Sequence, residues 1–350
     1  MKHRENSFDL VRHFAALLVF YSHHYALSNR SEPVLLHWDT YGFIAVVIFF
    51  TISGYFMPAS FNSSKNFIEF MGKRCRRIFP GLIACSFIIT YIIGGIFIET
   101  SRWDYITSSW TLKTFIMGFS FIGRTAPGIF SHFKYPNAVD GSLWTLPIEF
   151  ACYLIFSTAL TFSNNFKAIL ALFLISAIST SVLFATGLNY SFYAVPMNYL
   201  SIFGLAFTAG ALLSMTQHHW FSMRWRIVLI SAVLLEIFSG RPEIEVIGTI
   251  CISVITVVIG TSFKDKFIKG KFDISYGIYI YAFPIQQLVI NLVAHHFWLS
   301  MLISLPLTLL AGYLSYRFVE KPFLRKKFLR EEASEISDGQ ASTLVAVTPI

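Results

Sequence analysis

Residues 9–25 read DLVRHFAALLVFYSHHY, an apolar stretch that also holds an acid, an arginine and three histidines. With its flanks, this stretch approaches the roughly 20 residues that a helix needs to cross a bilayer. Ionisable groups are costly inside a membrane, and by default they face the interior of a helix bundle or a water-filled cavity. The stretch therefore predicts a membrane-spanning helix with a functional polar stripe, if the rest of the chain is a membrane protein.

The composition of the whole chain supports that condition. Of the 350 residues, 55% are hydrophobic and only 13% are charged, and the mean hydropathy is +0.61. Soluble globular domains carry about 25% charged residues. We find no soluble catalytic domain, no repeat of 20–50 residues and no glycine-rich nucleotide motif. The sequence thus predicts an all-α, polytopic integral membrane protein whose chemistry takes place within the bundle.

Reading the chain for apolar runs of spanning length predicts about ten transmembrane helices. These are 8–28, 39–57, 80–98, 143–163, 166–187, 192–214, 225–239, 245–262, 273–293 and 297–319. Between them we expect a basic, helical connector at 58–79 and a long aromatic loop at 99–142. The loop includes a short surface or re-entrant helix at 110–123. A disordered tail is predicted at 331–350.

The basic residues give the orientation. Ten spans place 21 of the 27 lysines and arginines on the side of the N-terminus. The other six are Arg30, Arg102, Lys113, Arg124, Lys134 and Arg241. The positive-inside rule then puts both termini in the cytoplasm. Because the basic residues lie beside apolar segments, we assign the net charge of +8 to orientation and lipid contact, and we predict no nucleic-acid partner.

Cysteines and targeting signals add little chemistry. Cys75, Cys85, Cys152 and Cys251 form no CxxC pair, and no metal site is predicted. The first span lacks a small-residue cleavage pattern, so we expect it to remain in the mature protein.

The first polar feature is a stripe along the first span. His23 lies eleven positions after Arg12, almost three helical turns, so both project from one face about 16 Å apart. Asp9 lies three residues before Arg12 and can pair with it, whereas His24 points about 100° away. An interfacial anchor at Arg12 and a packing role for His23 are the alternatives.

The second feature is the stretch DGSLWTLPIEF, residues 140–150. Glu149 enters the fourth span about two turns below its outer end, a depth similar to that of His23. We expect its carboxylate to orient the imidazole and to stabilise its protonated form. A structural hydrogen bond to a neighbouring helix is the alternative.

Two further stretches precede or lie within spans. KRCRRIFP, residues 73–80, places Arg74 and Arg77 one turn apart, with planar donor groups suited to phosphate. Topology and contact with anionic lipid are the alternative reasons for these arginines. FFTISGYFM, residues 49–57, holds Ser53 and Gly54, which favour close helix approach.

These stretches occur together in one family. The sequence resembles the membrane-bound acyltransferase-3 family, whose members transfer acyl groups, usually acetyl from acetyl-CoA, to hydroxyls of sugars and other acceptors. The resemblance is carried by the Arg12–His23 pair, FFTISG, the R-x-x-R of Arg74 and Arg77, the W-T-L-x-x-E of Trp144 to Glu149, ISYGIYIYAFPIQQ (274–287) and SYRFVEKPF (315–323). One position departs from it: many relatives have a histidine where this chain has Ala282.

The resemblance implies an acyltransferase domain over residues 1–330 in a bacterial inner membrane, with acetyl-CoA as substrate and no bound cofactor. By that resemblance His23, Glu149 and Arg12 are the catalytic residues, and Arg74 and Arg77, with Arg12, bind the acyl donor. Asp9, Ser53 and Trp144 support them.

The implied acceptor is a sugar hydroxyl of a surface polysaccharide, such as O-antigen or exopolysaccharide, or its lipid-linked precursor. In the outer loop, aromatic side chains would stack on sugar faces or form an interfacial belt. They are Trp103, Tyr105, Trp110, Phe130, Phe133 and Tyr135. Peptidoglycan, a lipochitooligosaccharide or a secondary metabolite are alternative acceptors, and a transporter is the alternative class. The oligomeric state and the roles of His13 and His24 stay open.

Overall fold

The computed structural model describes residues 6–98, 101–122, 129–193, 195–238, 244–265, 267–268, 270 and 272–325. Its α-helices are α1 Phe8–Leu27, α2 Tyr41–Asn62, α3 Phe67–Phe87, α4 Gly94–Phe97, α5 Arg102–Thr107, α6 Ser109–Phe119, α7 Leu146–Phe162, α8 Phe166–Thr186, α9 Met197–Met215, α10 Gln217–Trp220, α11 Arg224–Phe238, α12 Ile244–Ser262, α13 Ser275–Leu292, α14 Phe297–Leu314 and α15 Lys321–Arg325. Strands β1 Val34–Leu35 and β2 Asp39–Thr40 form one antiparallel pair, and β3 Ser191–Phe192 and β4 Val195–Pro196 form another. The tail predicted at 331–350 lies outside the described residues.

Every predicted span coincides with a helix, and the protein is an all-α, multi-pass membrane protein. Among the described residues, seven helical stretches are long and apolar enough to cross a bilayer: Tyr41–Asn62, Phe67–Phe97, Leu143–Phe162, Phe166–Thr186, Met197–Met215, Glu245–Ser262 and Phe297–Leu324. The predicted spans outside that set are α1, α11 and α13. α11 has only 15 residues, and α1 and α13 carry much of the polar chemistry described below.

The prediction for the third span was wrong at its start. We expected a separate connector at 58–79 and a span beginning at Pro80, but α3 begins at Phe67 and carries the arginines into the span itself. Asn66 starts this helix by accepting a hydrogen bond from the backbone N–H of Glu69, at 2.9 Å. α3 continues through a π-helical turn, Ile88–Ile93, into α4. The basic run and the apolar run therefore belong to one continuous helical segment.

The sixth span also begins later than expected, at Met197 instead of 192. The short pair β3–β4 takes up the preceding residues, and Pro196 occupies the N-cap position. Proline is tolerated there because the N–H that it lacks would have no hydrogen-bond partner within the helix.

Two glycines hold the centre of the bundle together. A methyl group at Gly54 in α2 would lie 1.8 Å from the backbone oxygen of Phe207 in α9, and one at Gly210 would lie 2.1 Å from the backbone oxygen of Thr51. The backbones of α2 and α9 are therefore in direct contact, as small residues permit in membrane bundles. This confirms the close approach predicted from FFTISG.

The two ends of the bundle can be told apart by their contacts. At the end that we call the inner end, the N–H of Ser7 donates to the backbone oxygen of Gly260, 2.9 Å away, which ties the start of α1 to the end of α12. At the outer end, the amide of Gln287 in α13 donates to the backbone oxygens of Tyr135 and Ala138 and so holds the outer loop. The positive-inside rule predicts that the inner end is cytoplasmic.

The outer loop contains α5 and α6, and α6 begins one residue before the short surface or re-entrant helix predicted at 110–123 and overlaps most of it. Trp103, Trp110 and Tyr135 are exposed, but Tyr105 and Phe130 are buried. The Tyr105 hydroxyl donates to the backbone oxygen of Thr90 at 2.9 Å, and Phe130 stacks on Phe133 at 4.1 Å. The predicted sugar-stacking or interfacial role is therefore wrong for Tyr105 and Phe130, because the loop folds them into the core.

Candidate active site

The inner end gathers ionic side chains from three segments. Arg77 of α3 donates through Nη2 to Oδ2 of Asp273, at 2.5 Å, and Nη1 of Arg12 lies 3.8 Å from the same oxygen. Arg12 also meets Asp9, at 3.5 Å, as the spacing predicted. We call Asp9, Arg12, Arg77 and Asp273 the inner ion cluster. Sequence reasoning missed Asp273, although a single acid between a lysine-rich segment and an apolar span was a usable signal.

His13 fixes the backbone beside this cluster. Its Nδ1 lies 2.7 Å from the backbone oxygen of Asp9, and its Nε2 lies 3.2 Å from the backbone N–H of Ile274. A backbone oxygen only accepts and a backbone N–H only donates, so Nδ1 carries the proton. His13 therefore holds the segment before α13 against α1, which gives it the role that the sequence left open.

Arg74 faces a different set of partners from Arg77. Its guanidinium donates to the Ser60 hydroxyl and lies over the rings of Phe70 and Tyr153, 5.4 and 5.5 Å from their centroids. Its Nε is buried without a hydrogen-bond partner among the described residues. The two arginines of the R-x-x-R motif thus project to different neighbours.

Glu149 is held by hydroxyl groups. Its Oε1 accepts from the Ser53 hydroxyl at 3.0 Å and from the Tyr153 hydroxyl, one turn further along α7. Arg74 lies over the Tyr153 ring. Tyr153 therefore contacts both Arg74, which we predicted to bind the acyl donor, and Glu149, which we predicted to be catalytic. We call Ser53, Arg74, Glu149 and Tyr153 the glutamate network. Tyr153 was missed, and its i, i+4 spacing from Glu149 was the available signal.

His23 lies at the outer end against α13. Its ring meets the Phe283 ring edge to face, with centroids 5.2 Å apart, and its Nδ1 is buried without a hydrogen-bond partner in the described part of the chain. The direct contact with Glu149 that we expected is not among the contacts of the described residues. Arg12 meets Asp273 just before α13, and His23 meets Phe283 ten residues further on. This confirms that Arg12 and His23 share one face of α1.

The loop before α7 shapes the surroundings of His23. A methyl group at Gly141 would lie 2.4 Å from the Phe283 ring, so only glycine lets that ring reach His23 without displacement. The neighbouring Asp140 is buried, and its Oδ1 accepts from the Ser142 N–H at 2.8 Å and the Ser142 hydroxyl at 2.5 Å. Burial raises the pKa of Asp140 to about 7, against the lowering effect of the Ser142 hydrogen bonds. We call His23, Gly141 and Phe283 the outer histidine site.

His24 and Trp144 make contacts that join helices to one another. His24 is buried and in contact with the backbone oxygen of Phe297 and the Ser300 hydroxyl, each 3.0 Å from its Nε2. It also meets the Gln286 amide, so it joins α1, α13 and α14. Trp144 packs edge to face on Tyr199, with centroids 4.7 Å apart.

The molecule is therefore a multi-pass membrane protein with polar side chains inside its bundle, arranged from an ionic inner end to a histidine near the outer end. Residues 5–317 match the acyltransferase domain that defines the acyltransferase-3 family. The chain is 39% identical over 328 residues to an O-acetyl transferase of Shigella phage Sf6, covering 93% of this chain and 97% of that protein. The chain belongs to the acyltransferase-3 family and is a membrane-bound O-acyltransferase.

More distant relatives carry varied names. Nodulation protein 10 of Rhizobium leguminosarum bv. viciae is 26% identical, with 91% of this chain and 93% of that protein covered. Peptidoglycan O-acetyltransferase OatA of Listeria monocytogenes serovar 1/2a is 24% identical, with 83% of this chain and 53% of that protein covered. No solved structure matches the chain.

Proposed function

We propose that this protein transfers an acetyl group from cytoplasmic acetyl-CoA to a sugar hydroxyl of a surface polysaccharide, or of its lipid-linked precursor, in the bacterial inner membrane. The observation that carries the proposal is the shared face of α1. Arg12 lies at the basic end of that face and His23 near the opposite end, and both meet the segment that contains α13.

His23 is the general base of the proposed reaction. Because its Nδ1 is buried beside Phe283, Nε2 is the nitrogen that meets the acceptor hydroxyl. It takes the hydroxyl proton while the sugar oxygen bonds to the carbonyl carbon of the thioester. The carbon–sulfur bond then breaks, and the departing thiolate of coenzyme A takes the proton from His23.

The arginines receive the acyl donor in this scheme. Arg74 and Arg77 each present guanidinium N–H groups suited to phosphate oxygens, and Arg12 lies on the same face of α1 as His23. The acyl arm must reach across about 16 Å, the rise of 11 helical residues. Glu149, the other proposed catalytic residue, is held in place by the hydroxyls of Ser53 and Tyr153.

The names of two relatives support acetyl as the transferred group. One is called an O-acetyl transferase and the other a peptidoglycan O-acetyltransferase. The first relative matches this chain over almost its whole length, which favours the same reaction type here. A surface-polysaccharide acceptor agrees with the outward position predicted for His23.

Polysaccharide NMR tests the proposal. Cells that lack the gene are complemented with wild type, His23→Ala or the control His219→Ala. The control changes an exposed histidine of α10. We expect O-acetyl signals with wild type and the control. They should fall about 100-fold or more with His23→Ala, because a general base contributes 10²–10⁴-fold.

Two results would count against the proposal in different ways. Unchanged acetylation with a normally expressed His23→Ala protein would remove the base. Polysaccharide acetylation that survives deletion of the gene would remove the acceptor, and peptidoglycan analysis of the same cells would then show whether the acetyl group is lost there.

A further inference from the structure

Asp273 lies where two arginines from different helices converge. One of its oxygens, Oδ2, meets both Nη2 of Arg77 and Nη1 of Arg12, at 2.5 and 3.8 Å. These two nitrogens are therefore at most 6.3 Å apart by the sum of the two distances. Two guanidinium groups this close repel each other, by about 3 kcal/mol at an effective dielectric constant near 20. An anion between them is needed to keep them together.

The geometry of Asp273 is itself fixed. Its other oxygen, Oδ1, accepts from the Ser275 N–H at 3.2 Å and from the Ser275 hydroxyl at 2.5 Å. His13 holds the adjacent N–H of Ile274 against α1. The carboxylate is thus anchored to the start of α13 on one side and presents its second oxygen to the arginines.

The pairing leaves most of the arginine donors available. Each guanidinium has five N–H groups, and Asp273 occupies one nitrogen of each arginine. The side chains of Arg12 and Arg77 are 24% and 27% exposed, so part of each arginine stays accessible beside Asp273. A diphosphate is the complementary ligand, because its several oxygens can be met by both planar groups at once.

We infer that Asp273 is a positioning residue that holds Arg12 and Arg77 together as one receptor for the phosphates of the acyl donor. The inference rests on the proposed function, since it takes a coenzyme A thioester as the donor. Asp273 adds a negative charge near the ligand, so its preorganising effect on the arginines has to outweigh its repulsion of phosphate. If preorganisation dominates, removing the charge of Asp273 raises the Kd for the donor; if repulsion dominates, removing it lowers the Kd.

The test uses the full chain purified in a neutral detergent and measures equilibrium binding of coenzyme A. Asp273→Asn keeps the side-chain hydrogen bonds to Ser275, because asparagine caps helices as well as aspartate does, but it removes the charge that holds the arginines. We expect the Kd to rise about tenfold, equivalent to one lost charge-assisted hydrogen bond. In the acetyl-transfer assay the KM for acetyl-CoA should rise similarly, with kcat nearly unchanged.

Asp39→Asn is the matched control. Asp39 also accepts a hydrogen bond from a following backbone N–H, that of Thr40 at 2.6 Å, but it precedes α2 at the outer end. The Asp39→Asn protein should bind coenzyme A with the wild-type Kd. Asp273→Glu, which restores the charge, should recover most of the affinity, and this recovery separates positioning from a general loss of folding.

An unchanged or lower Kd for Asp273→Asn, with wild type binding normally, would overturn the inference and leave the proposed function standing. If wild type itself does not bind coenzyme A, both fall. Phosphatidylglycerol added to the binding assay identifies the source of the phosphate. Binding of phosphatidylglycerol that depends on Asp273, together with coenzyme A binding that does not, would show that this receptor takes a lipid headgroup and would overturn the assignment to the acyl donor.

Discussion

At the inner end, the carboxylates of Asp9 and Asp273 hold Arg12 and Arg77 by charge. At the outer end, His23 packs against the ring of Phe283, and Gly141 leaves the space that this ring occupies. The inner ion cluster is positioned by charge, which acts over several ångströms and tolerates small displacements. The outer histidine site is positioned by contact, which fails once atoms separate by a fraction of an ångström.

The difference suits the two tasks that we propose for these ends. Binding the phosphates of an acyl donor needs strong, adjustable attraction. Removing a proton from an acceptor needs a base at a fixed position, with no charged partner competing for its free nitrogen. Changes at the inner end should therefore alter KM for the acyl donor, and changes at the outer end should alter kcat.

After the loss of His23 itself, the largest expected effect comes from removing a charge at the inner end. Arg77→Gln removes one guanidinium from the inner ion cluster and leaves Asp273 with Arg12 alone. We expect the KM for acetyl-CoA to rise about 10- to 100-fold, as for one or two lost hydrogen bonds to a charged group. Steady-state kinetics on purified protein measure this, with the exposed Arg317→Gln as control. A fall in kcat at constant KM would show that the ends do not divide the tasks in this way.

A smaller effect is expected at the outer end from a single methyl group. Gly141→Ala places a carbon 2.4 Å from the Phe283 ring and must push that ring toward or away from His23. We expect kcat to fall on the order of tenfold through misplacement of the base. Adding Phe283→Leu should restore part of the rate, since the two changes share one contact.

Gly72→Ala is the control for that methyl group, because a side chain there meets open space. Wild-type kcat in Gly141→Ala, together with a normal thermal unfolding curve, would show that Phe283 does not position His23.

The smallest effect concerns Asp140, which neighbours the outer histidine site. Burial raises the pKa of Asp140 to about 7, so the folded protein keeps a proton that an exposed aspartate loses near pH 3.9. The stability gained this way is fully present below about pH 4 and is lost as the pH rises through about 7. Asp140→Asn should therefore show a smaller fall in Tm between about pH 5.5 and 8 than wild type does.

Asp104→Asn, which changes an exposed aspartate of α5, should keep the wild-type dependence of Tm on pH. If Asp140→Asn also keeps it, a group other than Asp140 titrates with the stability of the fold.

Much of the fold followed from local patterns. Apolar runs of spanning length were enough to predict ten spans that each coincide with a helix, because crossing a bilayer requires a long apolar run. The start of α3 was missed, since Pro80 and the basic run resembled a boundary, whereas the helix begins after the cap at Asn66 and includes both. Tyr105 and Phe130 were misassigned because nothing in an aromatic loop sequence shows which rings fold inward.

The site divides in the same way. The spacing of Asp9, Arg12 and His23 placed all three on one side of α1, a consequence of helix geometry alone. Asp273 is 196 residues from Arg77 in sequence and shares no helix with it, so no periodicity could connect them. Glu149 illustrates the limit, since its depth was inferred but its partners, Ser53 and Tyr153, depend on how α2 and α7 pack.

Hydropathy and helical periodicity act over one or a few turns, so they were enough to predict a multi-pass helical membrane protein, the positions of its spans and the residues that share a face of α1. The packing of the helices was needed to show that Asp273 joins Arg12 to Arg77, that His13 and His24 join neighbouring segments, and that Phe283 reaches His23 across Gly141. Those contacts depend on how rigid helices meet, and the distance between helices is set by small residues such as Gly54 and Gly210 acting together across the bundle.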